Sequence, residues 1–194
     1  GSVSYTSITG VKPSNLADGD TLLAILIHRG VSAAASAITP PPGFTTVQNG
    51  MNGNGTYTVK SWIGTKVASG EGADYTVGFE ADTKDKTLML FRVTGVDGVD
   101  ASVMDSDEYG MNLNSPAITS TVDNGMLLSV VLGTQASRFT ATTPAGNTNL
   151  TLGTSRANSS CTNWSVSSLQ LGAAGSVPAK LHTAYYSTNG YGHA

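Results

Sequence analysis

Two apolar runs stand out along the chain, TLLAILIH at Thr21–His28 and MLLSVVL at Met126–Leu132. Each is too short for a globular helix and sits between turn residues, which predicts a central β-strand covered on both faces. The stretch TYTVKSWIGTKVA, Thr56–Ala68, alternates instead. Tyr57, Val59, Ile63 and Val67 fall on one face, and Thr56, Thr58, Lys60, Trp62 and Lys66 on the other, the pattern of a half-buried strand with Trp62 on its polar side. Shorter strands are predicted at Tyr75–Phe79 and Leu181–Tyr186, and a further apolar strand in KTLMLFRVTG, Lys86–Gly95. Pro40, Pro41 and Pro42 cannot donate to a ladder and fix a loop, and Gly43 permits the turn back.

The pattern is written twice. Asp18 matches Asp123, Gly43 matches Gly146 and Trp62 matches Trp164, at separations of 105, 103 and 102 residues, and the opening SIT at Ser7–Thr9 has a counterpart in AIT at Ala117–Thr119. An internal repeat of about 103 residues, 1-110 and 111-194, follows. Two equivalent sets of antiparallel strands predict an all-β fold, an antiparallel, jelly-roll-like β-sandwich with two pseudo-equivalent halves forming one domain over 1-194. The last apolar strand of the first half, Lys86–Gly95, would have its counterpart begin near residue 190.

Composition narrows the partners. Charged residues are 12 % of the chain, and a net charge of −3 is scattered without a basic stripe, which argues against nucleic acid. The longest strongly apolar run, Leu22–Ile27, is far below the roughly 20 residues of a membrane span, so no membrane insertion is expected. Cys161 is the only cysteine, so no disulfide forms within the chain. The opening GSVSY, without a methionine, is read as a cloning scar or a processed start within a larger parent protein.

The order KPSNLADGDTLLAILI, TPPPGFTTV, YTVKSWIGTKVASGEGADYTVGF and LMLFRVTGVDGVDA resembles a recurrent β-sandwich surface and adhesion domain of tailed-phage virion proteins, found in tail fibres, tail-tip proteins and decoration components. That pattern has a Gly-Asp before an apolar strand, a Pro-x-Gly-Trp turn, a Lys-Val-Ala strand end and an aromatic-Arg-Gly-Val-Asp strand end. Phe44 stands where that family more often has Trp, and Thr94 intervenes between Arg92 and Gly95. The resemblance covers the first half well and the second loosely. It implies a surface module of a virion, in a structural or host-attachment role, located on the virion surface or extracellularly, with other virion subunits as partners and a homo-oligomeric state.

Candidate chemistry is sparse. There is no G-x-S-x-G elbow, H-E-x-x-H or P-loop, and His28, His182 and His193 are far apart in sequence, so no enzyme activity is expected. Asp105, Asp107 and Glu108 offer oxygen ligands for calcium from a loop, although the spacing fails the EF-hand pattern and a solvated acidic loop is the simpler reading. Trp62, with Lys60 beside it, is either a stacking platform for a host-surface glycan or a ring covered by protein, and cover is favoured. Tyr185, Tyr186 and Tyr191 make the tail an adaptable contact surface or a plain aromatic strand. The expected function is therefore a non-enzymatic, adhesive or structural virion module, and the alternative is a carbohydrate-binding module of a secreted enzyme.

Overall fold

The computed structural model describes residues 6–30, 37–53, 58–79, 85–108, 112–135, 140–141, 143–157, 160–185 and 191–193. Every regular element among them is a β-strand, and every pairing is antiparallel. The chain divides into two compact units, Gly1–Val99 and Asp100–Ala194.

The first unit contains β1 (Ser7–Val11), β2 (Thr21–Gly30), β3 (Ile38–Thr39), β4 (Thr45–Gly53), β5 (Thr58–Val67), β6 (Asp74–Phe79) and β7 (Asp85–Val93). They form a four-stranded sheet, β4-β5-β2-β7, and a three-stranded sheet, β1-β6-β3. Ala24, Leu26 and Trp62 from the first sheet pack with Val77 and Phe79 from the second, with Ile8, Ile38, Phe44, Leu88 and Leu90 around them. The first unit is thus a β-sandwich with its own core. β2 is the central strand predicted from its sequence: Leu22, Ala24, Ile25, Leu26 and Ile27 have no exposed surface.

The second unit contains β8 (Ser106–Glu108), β9 (Asn112–Ser115), β10 (Ile118–Ser120), β11 (Met126–Gln135), β12 (Thr140–Ala141), β13 (Thr148–Ala157), β14 (Ser160–Gln170), β15 (Gly175–Val177), β16 (Lys180–Tyr185) and β17 (Tyr191–His193). A five-stranded sheet, β13-β14-β11-β17-β8, repeats the order of the first unit's larger sheet and adds β8. The smaller sheet is also repeated, but broken. β9 pairs with β16 and β10 with β15 in one unchanged register, from Ser115↔Lys180 to Ile118↔Val177. The ladder lapses between those pairs, where Pro116 stands on one strand and Pro178 on the other, because neither can donate a backbone hydrogen bond. The repeat was expected to build one sandwich from two facing halves; here every sheet draws its strands from a single unit.

Backbone hydrogen bonds carry the equivalence. Gly70 N donates to Asp18 Oδ1 at 2.8 Å in the first unit, and Ala174 N donates to Asp123 Oδ1 at 2.7 Å in the second. After the prolines, Phe44 N donates to Pro41 O and Asn147 N to Pro144 O, with Gly43 and Gly146 both at φ 84°, a conformation glycine adopts without a Cβ penalty. The β4/β5 ladder shifts register between Thr46 and Gln48, and the β13/β14 ladder between Asn149 and Thr151.

These markers correct the tryptophan match. Both bulges and their partner strands lie 103 residues apart, so the place of Trp62 is taken by Ser165, and Trp164 stands where the first unit has Ser61. Pairing agrees: Trp62 faces Leu26 and Ser61 faces Ile27, whereas Ser165 faces Val131 and Trp164 faces Leu132. A one-residue offset moves a side chain to the opposite face of a sheet. Trp62 is 1 % exposed, and Trp164 is half-buried.

Candidate functional site

The aromatic expected on a polar face is in the core. The inner face of β5 reads Lys60, Trp62, Gly64, Lys66, polar at its ends and apolar in its middle. The indole lies over Gly64, where an added Cβ would stand 2.2 Å from Trp62 Cζ2. Trp62 Nε1 donates to Thr46 Oγ1 at 2.9 Å. The Phe44 ring is 5.8 Å away, and Phe44 in turn meets Tyr75 edge-on at 5.8 Å. Trp62 is therefore covered by its own unit and offers no face to a sugar. The lysines reach outward: Lys66 Nζ lies 2.8 Å from Glu71 Oε1, and the same carboxylate accepts the Tyr75 hydroxyl at 2.9 Å. Burial and that carboxylate push the Tyr75 phenol up to about 12.

Lys60 belongs to a different cluster, which the sequence pattern did not single out. His28 is fully buried, and neither ring nitrogen has a hydrogen-bond partner. Its ring meets Phe79 edge-on at 5.0 Å, and its backbone neighbours across the sheet are Lys60 on β5 and Lys86 on β7. Lys86 Nζ stands 5.3 Å from the Phe79 centroid. Burial first, then the two ammonium groups, push the imidazole down to about 4, so it is neutral at neutral pH. A histidine closing an otherwise apolar run was the available signal.

The acidic stretch and the tail meet in the second unit. Asp107 and Glu108, expected in a loop, are in strand β8, where they pair with Gly192 and Tyr191 of β17. Asp105 is exposed just before them. Tyr185 lies apart, on β16 opposite Thr140, and Tyr186 is outside the described residues. Among the described residues, no three His, Cys, Asp or Glu side chains gather to hold a metal. Asp100, in the same acidic stretch, is a staple: it accepts Thr121 N at 2.7 Å and the Thr121 hydroxyl, which together hold its carboxyl below its usual range.

The two central strands differ in their pairing. β2 is flanked on one side by β5 and on the other by β7 along Thr21–Arg29. β11 is flanked by β14 throughout, but β17 covers only Leu132–Thr134. Among the described residues, the other edge of Met126–Val131 has no strand. Met126 is 40 % exposed, against 9 % for Thr21 at the same place in the first unit, and Leu127, Leu128 and Val130 are half-buried where Leu22, Leu23 and Ile25 are buried.

Compared with known proteins, the chain matches no family model, no curated sequence and no solved structure. No helix among the described residues is long and apolar enough to cross a membrane.

Proposed function

We propose that the chain is a non-enzymatic surface module of a phage particle, built as a tandem of one sandwich scaffold and serving a structural or attachment role. The observation carrying this reading is that what the two units share is scaffold: the Asp18 and Asp123 turn locks, the Pro-x-Gly turns, the bulges and the strand order. The side chains packed inside that scaffold are not duplicated. Trp62 gives way to Ser165, Phe44 to Asn147 and His28 to Gly133. Repeating a scaffold while varying its side chains suits a module that extends and presents surface. The turns held in common are also those on which the resemblance to tailed-phage surface domains rests. Burial of Trp62 weighs against that ring as a stacking platform for a sugar.

The test is immuno-electron microscopy of particles with antibody raised to the purified chain, together with binding of the chain to host cells. Decoration of the particle surface is the expected result. Unlabelled particles, or cleavage of a host polymer by the purified chain, would overturn the reading.

A further inference from the structure

The inner face of the first unit's larger sheet ends in a row of basic side chains. Lys60 on β5, His28 on β2 and Lys86 on β7 stand in register, the next row on that face beyond Trp62, Leu26 and Leu88. From the facing sheet Phe79 meets His28 edge-on at 5.0 Å and lies 5.3 Å from Lys86 Nζ, and Ile38 pairs with Phe79 from β3. Arg29 and Asp85, the next pair along β2 and β7, fall on the opposite face. Glu80, Asp82 and Lys84 lie outside the described residues. The charges that act on the imidazole are the two ammonium groups.

Packing does not account for this histidine. A neutral imidazole carries one donor and one acceptor, and both nitrogens of His28 are buried without a partner, a cost that an aliphatic side chain would not incur. Nor does the scaffold require the row. The second unit has Gly133 in place of His28, Asn163 in place of Lys60 and Gly192 in place of Lys86, so the three are lost as a set. Protonation raises the cost steeply, because an imidazolium here is a third cation beside two ammonium groups, with two N–H donors and no acceptor.

We propose that His28, set between Lys60 and Lys86, is an acid-released latch: its protonation parts β2 from β6 and β3 at this end of the first unit and uncovers Phe79 and Ile38, while the far end stays closed. The far end is tied by charge pairs, Lys66 with Glu71 at 2.8 Å and Arg92 with Asp20 at 2.6 Å. Lys66 holds the Glu71 carboxyl below its usual range, and Arg92 does the same for Asp20, so these ties persist further into acid than ordinary carboxylates would. The latch holds fully above 6.5, the value of the imidazole once released, and weakens as pH falls toward about 4, its value when buried. By that pH, opening is on the order of a hundredfold more frequent than at neutral pH. The consequence is an apolar surface presented only in acid. This proposal is independent of the phage reading.

The test is hydrogen exchange of the full chain between neutral pH and about pH 4, each rate taken relative to that of the unstructured peptide at the same pH. Protection at Ile27, His28 and Phe79, whose amide donates to Thr6 O, should fall on the order of a hundredfold, while Leu22, Leu23 and Ala24 keep theirs. The His28 ring signal should titrate at about 4. His28→Leu should remove the fall. Lys86→Met keeps the imidazole but takes away one neighbouring charge, so it should shrink the fall, and it decides the matter alone if the leucine chain does not fold. A ring that titrates at its ordinary value, an equal loss of protection at both ends of β2, or a fall left unchanged by either substitution would overturn the proposal.

Discussion

In the first unit an aromatic trio, Phe44, Trp62 and Tyr75, fills one end of the core. The places of Phe44 and Trp62 in the second unit are held by Asn147 and Ser165. Asn147 Nδ2 donates to Ser167 Oγ at 3.2 Å, while Asn147 Oδ1 and Ser165 Oγ are buried without partners. Ser167 itself occupies the place of Gly64: with Ser165 in place of the indole, a side chain is accommodated at that position. One backbone plan therefore tolerates an aromatic interior and a small polar one. What both copies keep are the turn locks and strand pairings, which shows that ladder and turns specify the plan while the core sets how firmly it is held.

The sharpest break in that comparison comes from the two tryptophans. Trp62→Ala should cost the first unit about 3–5 kcal/mol, the range for emptying a buried aromatic site. Trp164→Ala, at a half-buried place on the other face, should cost the second distinctly less. Urea unfolding followed by amide resonances of each unit measures both, and equal losses would restore the tryptophan match that the register denies.

Acid should separate the units next. A histidine whose folded pKa lies below its unfolded value of 6.5 favours the folded state while both are neutral, and that advantage is lost as pH falls from 6.5 to about 4, where the folded form also takes up its proton. The first unit should lose about 3 kcal/mol over that interval, and the second, with Gly133 in the place of His28, should show no such loss from this source. His28→Leu should flatten the first unit's profile. An unchanged profile in that variant would mean that other groups govern the response.

Smaller effects sharpen the likeness. Asp18→Ala and Asp123→Ala should each cost about 1 kcal/mol, the net value of one hydrogen bond, and by similar amounts in their own units. Ser165→Ala should be neutral or stabilising by up to about 1 kcal/mol, since it removes a buried hydroxyl that has no partner. A clear destabilisation there would reveal a partner for Ser165 in solution.

Much of the scaffold was legible in the sequence because it depends on local chemistry. The runs at Thr21–His28 and Met126–Leu132, the proline-glycine turns and the duplicated Asp18 and Asp123 are short-range signals, and each became the expected strand or turn. Trp62 was misplaced because alternation was averaged along β5, where the lysines at its two ends reach solvent while its middle is core. Trp164 was matched by residue type, and only the bulges reveal the one-residue offset. The meeting of Tyr191 with Glu108, 83 residues apart, depends on long-range pairing that no local pattern encodes. The strand expected near residue 190 does begin there, as β17, in the register that β7 takes against β2.

Native-state hydrogen exchange along β2 and β11 tests the central claim, that one scaffold is held firmly by an aromatic core in the first unit and less firmly by a small polar core in the second. Amides of Leu22–Ile27 should all exchange slowly, because both edges of β2 are paired. Along Met126–Val131, the amides bonded to β14 should exchange measurably faster than their counterparts bonded to β5 in β2. Uniform slow exchange along both strands in the isolated monomeric chain would contradict the account.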